Sequence, residues 1–200
     1  MQIDPDNWRP LSVEEVAALM EPLAVPWWIA GGWAIDLFLG HKTREHADLD
    51  LLILRRNQLT VRAHLSDWQL FKTNQPGLAR WLNGEFLERP VNSVWARRGD
   101  AAPWSFELML MDTEKERWVY RRLESIGGPI SEMGFATAEG TPYLRPEIQL
   151  LYKSSSCKDK DLADLKQAAP LLSPESTQWL SNAIRLQHGP SHAWLDYLSQ

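Results

Sequence analysis

One cysteine, Cys157, is all this chain has. That excludes an internal disulfide and any zinc site built from several cysteines. Long apolar runs are missing too. No stretch reaches the roughly 18 residues needed to span a bilayer, so no membrane partner is expected. The opening MQIDPDNWRP is acidic and has no apolar signal-peptide region, so the expected location is cytoplasmic. Basic clusters are scarce, and 21 Lys and Arg against 26 Asp and Glu give a net charge of −5. Neutralising phosphates along a nucleic acid takes clustered cations, so that partner class is disfavoured. A neutral or cationic small molecule suits the balance better. Internal repeats and low-complexity tracts are also absent.

What remains is one core's worth of an ordinary globular composition, with 44% hydrophobic residues in 200. Tryptophan is the outlier, with eleven copies. Core packing accounts for most of them; a flat wall against a ring-shaped ligand is the functional reading.

The local signals predict an α+β fold: a mixed sheet with helices over residues 1–144, then a small helical lobe over 145–200. Ser12 to Ala24 reads as a helix opened by a Ser12–Glu15 capping box, with Leu11 and Val16 as its hydrophobic staple. Trp27 to Ala30 is a short apolar strand. Gly31 and Gly32 lead into a helix from Trp33 to Leu39, stopped by Gly40. A strand spans Leu49 to Leu54, and a helix capped by Asn57 spans Leu59 to Leu65. Val91 to Arg97, Ser105 to Met111 and Arg117 to Arg121 are strand candidates, the last pairing back across DTEKE. Phe135 to Ala138 and Pro142 to Leu144 read as a hairpin. Pro146 opens a helix over EIQLLYKS. DKDLADLKQAA and PESTQWLSNAIRLQ are two more, and a short one follows Ser191.

The chemistry concentrates in GGWAIDLFLGHKTREHADLDLLIL. Asp48 and Asp50 are two apart, so on a strand they share a face, while Leu49, Leu51 and Ile53 take the other. Leu52 and Leu54 continue the aspartate face as apolar residues, which describes a central strand with a polar opening. Two such carboxylates repel unless a cation lies between them. Oxygen ligands favour Mg²⁺ or Mn²⁺. The bland reading of Asp-x-Asp is a pair of solvated strand-end residues. Upstream, Gly31 and Gly32 at a helix start let the backbone approach a polyphosphate, with free N–H groups favouring anions; a tight strand-to-helix turn is the simpler alternative. In haloacid-dehalogenase-like phosphatases and many glycosyltransferases the apolar strand precedes Asp-x-Asp. Here it follows, which argues against both.

Together, the glycine pair at a helix start and His46-x-Asp48-x-Asp50 entering a strand resemble the nucleotidyltransferase fold of the DNA polymerase β superfamily. The stretch is similar to small antibiotic nucleotidyltransferases of the aminoglycoside 2″- and lincosamide types, on Gly31, Gly32, Trp33, Asp36, Thr43, Arg44, His46, Asp48 and Asp50. PWSFELMLMD, ERWVYRR, PYLRPEIQLLYKS and KDKDLADL extend the likeness over most of the chain.

The resemblance implies transfer of a nucleoside monophosphate from ATP or another NTP to a hydroxyl of a small molecule, such as an aminoglycoside or lincosamide. It implies two Mg²⁺ ions held by Asp48 and Asp50, and phosphates cradled by Gly31 and Gly32. A third acid, as metal ligand or general base, is expected on a neighbouring strand. Glu107 is the candidate, because an acid inside SFELMLM needs a reason. Asp112, at the start of a polar turn, is the runner-up. Arg44, His46, Lys153 and Lys160 are the candidate nucleotide contacts, Lys153 ahead of Lys160 because its helix is otherwise apolar; solvated loop charges, a structural histidine and an exposed helix face are their bland counterparts. Lys42 is a further loop cation that could meet phosphate, and Asp36 is expected to bond to the Thr43–His46 loop. The assembly expected is a monomer or homodimer. Two other classes compete: a toxin-like nucleotidyltransferase acting on tRNA or protein, and a non-catalytic nucleotide-binding module. The latter would gain if the third carboxylate lay away from the site.

Overall fold

The computed structural model describes residues 4–73, 77–156 and 158–199. Cys157 lies outside them. The elements in order are α1 (Val13–Met20), β1 (Trp27–Ile29), α2 (Gly31–Leu39), β2 (Asp50–Leu54), α3 (Gln58–His64), β3 (Gln69–Thr73), β4 (Leu78–Arg80), β5 (Ser93–Arg97), β6 (Phe106–Glu114), β7 (Arg117–Val119), β8 (Gly127–Pro129), β9 (Gly134–Ala136), β10 (Pro142–Leu144), α4 (Pro146–Lys153), α5 (Asp159–Ala168), α6 (Pro174–His188) and α7 (Trp194–Tyr197).

The predicted capping box is present in both directions, with Ser12 N–H donating to Glu15 Oε2 at 2.8 Å and Glu15 N–H to Ser12 Oγ at 3.2 Å. Helix α1 stops four residues earlier than expected, at Met20. Pro22 is the reason: Glu21 is still helical, at φ −51° and ψ −41°, and bonds back to Ala17, but Pro22 has no N–H to carry the ladder further. Helix α2 starts two residues earlier than expected and takes in both glycines. Gly40 ends it in the left-handed region, at φ 76°. Asn57 precedes α3 but its side chain makes no capping bond.

The strands run β4-β3-β5-β6-β2-β1-β10-β9 across one mixed sheet, with β7 on β6 and β8 on β7. Strand β2 is central. It pairs parallel to β6 and antiparallel to β1. Asp112 lies within β6, opposite Val119 of β7, rather than in the turn expected for it. Its carboxylate is held by Arg55 at 2.5 Å and Arg89 at 2.9 Å. That double pairing makes it a clamp between strands and removes it as a third site acid.

Each face of β2 has its own core. Leu49, Leu51 and Ile53 join Val16, Trp27, Ile29 and Leu108 in one cluster. Leu52 and Leu54 join Trp28, Met111, Leu150, Leu165 and Ile184 in the other. The second cluster draws on both the sheet and helices α4 to α6, so the helical segment is a layer over one sheet face. No helix among the described residues is long and apolar enough to cross a membrane. Seven of the eleven tryptophans are buried, and none lines the cleft described below.

Candidate active site

A cleft opens where the aspartate face of β2 meets α2, α4 and the start of α5. Gly31, Gly32, Asp48, Asp50, Lys153 and Lys160 all line it, as does Arg44. The structure therefore brings these seven residues, far apart in sequence, around one cleft.

The sheet forms the acidic wall. Asp50 is the first residue of β2, and Glu107 is its direct partner across the parallel pairing with β6. Parallel partners share a face, so both carboxylates lie on the side of Leu52 and Met109. Asp48 stands two residues before Asp50, ahead of the strand proper. Burial, and then the charges of Glu107 and Asp48, hold the Asp50 carboxyl well above its usual value, with Lys153 and Lys160 opposing. Burial also raises Glu107. Hydrogen bonds from Ser93 (2.6 Å) and Trp95 (3.1 Å) pull the other way, and Asp48 adds to the rise. These bonds fix the Glu107 carboxylate beside the cleft, whose lining it does not join.

The helices form the basic wall, and its less exposed cations, Lys153 and Arg44, come with partners. Lys153 Nζ, almost fully buried, contacts Asp161 Oδ1 at 3.1 Å and Asp164 Oδ2 at 2.8 Å. Arg44 forks onto both Asp164 oxygens, at 3.1 and 3.2 Å. Burial lowers the Arg44 pKa, but the bonds and charge of Asp164 outweigh it and the net shift is upward. Asp161 is penalised by burial too, yet Ser156 and Lys153 bring it below the usual value. Lys160 is exposed and reaches Asp50 only through its field.

The glycine pair has a packing reason. Gly31 sits at φ 66°, and a Cβ there would overlap Asp50 Oδ2; a Cβ on Gly32 would overlap His46 Nδ1 and Arg44. The Gly31 N–H donates to Gln149 Oε1 at 2.8 Å, so it is Gly32 and Trp33 whose N–H groups lack an intrahelical acceptor at this end of α2. His46 faces inward. Its side chain is 1% exposed, its Nε2 is 2.5 Å from Asp36 Oδ2, and it packs on Trp33. Asp36 also accepts from Thr43 Oγ1 at 2.6 Å. Asp36 thus ties the loop down as expected, and His46 does not join the cleft lining. Lys42 pairs with Glu45 on the surface.

Sequence reasoning passed over several lining residues: Gln149, Tyr152, Asn92 and the adjacent Arg121 and Arg122. The only signal was the double arginine after an apolar strand.

The acidic wall fits a hard divalent cation. Its donors are oxygens only, and crowded carboxylates with raised pKa values gain most from a cation. Among the described residues no three His, Cys, Asp or Glu side chains form a ready-made metal cluster. An open set of this kind suits Mg²⁺, which is held by one or two carboxylates plus substrate phosphate rather than by a protein cage.

Comparison with known proteins gives a sequence match for part of the chain and a fold likeness for most of it. Residues 12–76 match the aminoglycoside-2″-adenylyltransferase family model. A 2″-aminoglycoside nucleotidyltransferase of Klebsiella pneumoniae is 31% identical over 85 residues, covering 42% of this chain and 48% of that protein. One from Escherichia coli matches to the same extent. The match thus spans about half the length of these relatives. Among solved structures, the lincomycin-bound lincosamide adenylyltransferase LnuA superposes with a TM-score of 0.55 at 17% identity, over 80% of this chain and 96% of that one. The complex of ANT(2″)-Ia with adenylyl-2″-tobramycin gives 0.57 at 18%, over 88% and 96%. The N-terminal third of the chain therefore carries the aminoglycoside-2″-adenylyltransferase pattern, and the chain has the fold of the small antibiotic nucleotidyltransferases.

Proposed function

We propose that the protein is a Mg²⁺-dependent nucleotidyltransferase that moves a nucleoside monophosphate, AMP from ATP, onto a hydroxyl of a small molecule, with an aminoglycoside as the first acceptor class to test. The observation that carries the reading is the pairing of Asp50 with Glu107 across β2 and β6, in front of Lys153 and Lys160.

In the reaction the acceptor oxygen bonds to the α-phosphorus, the bond from that phosphorus to the β-bridging oxygen breaks, and pyrophosphate leaves. The hydroxyl proton must go to a base. Asp48 and Asp50 would hold Mg²⁺ with Glu107 beside them, and the metal would offset charge on the triphosphate and steady the leaving group. Glu107, its affinity for protons raised by burial, is suited to take the hydroxyl proton, aimed by Ser93 and Trp95. The N–H groups of Gly32 and Trp33 offer donors to phosphate oxygens at the positive end of α2. Lys160, mobile and exposed, suits the outer phosphates as a point charge. Lys153 and Arg44, held by Asp164, contribute fixed positive charge. The net charge of −5 favours a cationic acceptor through long-range attraction. The cytoplasm, where ATP is available, is the compartment this reading calls for.

The test is pyrophosphate release from each of the four NTPs with Mg²⁺, against a panel of aminoglycosides and lincosamides, with Asp48→Asn as the blank. Acceptor-dependent release that disappears in the variant is expected. Release that persists in Asp48→Asn would remove the assignment.

A further inference from the structure

The first turn of α2 is fastened to α4 through Gln149. This residue lies one helical turn before Lys153, on the same side of α4, and lines the cleft with it. It is only 5% exposed. The Gly31 N–H donates to its Oε1 at 2.8 Å, across 118 positions of sequence. A backbone N–H can only donate, so this bond fixes which end of the amide is oxygen and which is nitrogen.

The nitrogen end is the unusual group. It carries two N–H donors and has no hydrogen-bond partner among the described residues. Nor is it sealed in the interior, as Trp33 Nε1 is. It keeps accessible surface, and the space that Gln149 faces is the cleft. A nearly buried amide whose donors go unused is unfavourable unless something in the cleft accepts from them.

Gly31 locates those donors. A Cβ on Gly31 would overlap Asp50 Oδ2, so the glycine that holds the Gln149 amide also touches the Asp50 carboxylate. The Gly31 N–H is occupied at the very end of α2 where free N–H groups favour an anion. One backbone donor is used there, and two side-chain donors are set beside it. They are also neutral. A lysine in this place would repel a divalent cation on Asp50, whereas an amide donates to an anionic oxygen without opposing the metal.

We infer that Gln149 contacts the nucleotide: its Nε2 donates to a triphosphate oxygen next to the one taken by the Gly32 N–H, while its Oε1 holds the turn that presents Gly32. The inference rests on the nucleotide reading of the cleft given above. Gly31 aims the donor before any nucleotide arrives, so binding needs little reorganisation at this point.

The test is NMR on the ¹⁵N-labelled full chain, following the side-chain NH₂ signals of Gln149, assigned by their loss in Gln149→Met. Mg²⁺-ATP is added in one titration and Mg²⁺-tripolyphosphate, which has neither base nor ribose, in another. The expected result is a saturable shift of at least one Gln149 amide proton with both ligands. Calorimetry on Gln149→Met should show both ligands bound at least tenfold more weakly than by the wild type. If Gln149 only tethers Gly31, the variant loses affinity but the wild-type amide signals stay unmoved by tripolyphosphate, and the inference is overturned. A shift with Mg²⁺-ATP alone, or equal affinity of Gln149→Met and wild type, overturns it as well. The wild-type titrations stand even if the variant folds poorly. A wild type that binds neither ligand would overturn the nucleotide reading itself, whereas binding with unmoved amide signals overturns this inference alone.

Discussion

The two walls of the cleft handle charge in opposite ways. On the helical wall each buried cation has its anion: Asp164 bridges Arg44 and Lys153, and Asp161 takes Lys153 as well. On the sheet wall Asp48, Asp50 and Glu107 crowd one another, and their nearest cations lie on the far side. The helical wall is electrostatically complete within the chain. The sheet wall is completed only by something from outside, which is why we place the metal there. Pre-paired cations keep their positions before substrate arrives, while crowded acids store a preference for a cation.

That contrast can be broken one wall at a time. The largest effect is expected from Asp50→Asn, which should lower nucleotidyl transfer by at least about a thousandfold, in the range seen when a unit of a catalytic site is removed. The metal-free variant should nonetheless be as stable as the wild type or more so, because a like-charge contact is relieved. Steady-state kinetics and a urea melt read the two. Retained turnover, or unfolding, would contradict the division between walls.

Asp164→Ala should behave in the reverse manner. It leaves Arg44 without its carboxylate and Lys153 with Asp161 alone, and removing one partner of a buried pair costs about 3–5 kcal/mol. The same melt measures it. A stability change below about 1 kcal/mol would mean that the helical wall is not the closed network described.

Lys160→Ala should have a smaller and different effect. The residue is exposed and has no ion-pair partner among the described residues, so folding should be untouched, while the KM for nucleotide should rise roughly tenfold for a lost phosphate contact. A change in kcat alone would move Lys160 out of nucleotide binding.

The smallest effect is a difference of sign. The Asp50 pKa is raised, so the metal-free native state holds a proton that the unfolded chain releases, and its contribution to stability falls as pH rises above the unfolded value near 3.8. The Asp161 pKa is lowered, so its contribution is present above 3.8 and is lost as pH falls through the lower folded value. Urea melts from pH 3 to 7 should therefore show the wild type losing ground to Asp50→Asn with rising pH, and gaining on Asp161→Asn. Slopes of one sign would erase the contrast.

The sheet wall was the legible half, because its signals are local. Leu49, Leu51 and Ile53 alternate with Asp50, Leu52 and Leu54, and a period of two assigns the faces outright. Glu107 announced itself as an acid in an apolar run. The helical wall depends on contacts far apart in sequence: Arg44 meets Asp164 120 positions away, and no spacing rule reaches that distance. The same limit hid Gln149, whose partner is the N–H of Gly31. Local reading also failed where strands are short. β3, β4 and β8 have three to five residues each, and QLFKT, LAR and GGP carry little periodicity, so sheet pairing rather than propensity makes them strands. Pro22 was the opposite case, a local signal that should have ended α1. The glycine pair was read as a place for phosphate, yet the folded chain also needs both glycines for contacts of its own, against Asp50 and His46.

The most direct test of the central claim is calorimetric titration of ATP into the wild type and Asp50→Asn, each with and without Mg²⁺. The account predicts saturable binding to the wild type that depends on Mg²⁺ and is lost in the variant. ATP binding of equal strength in all four titrations would contradict it, because the acidic wall would then have no part in holding the nucleotide.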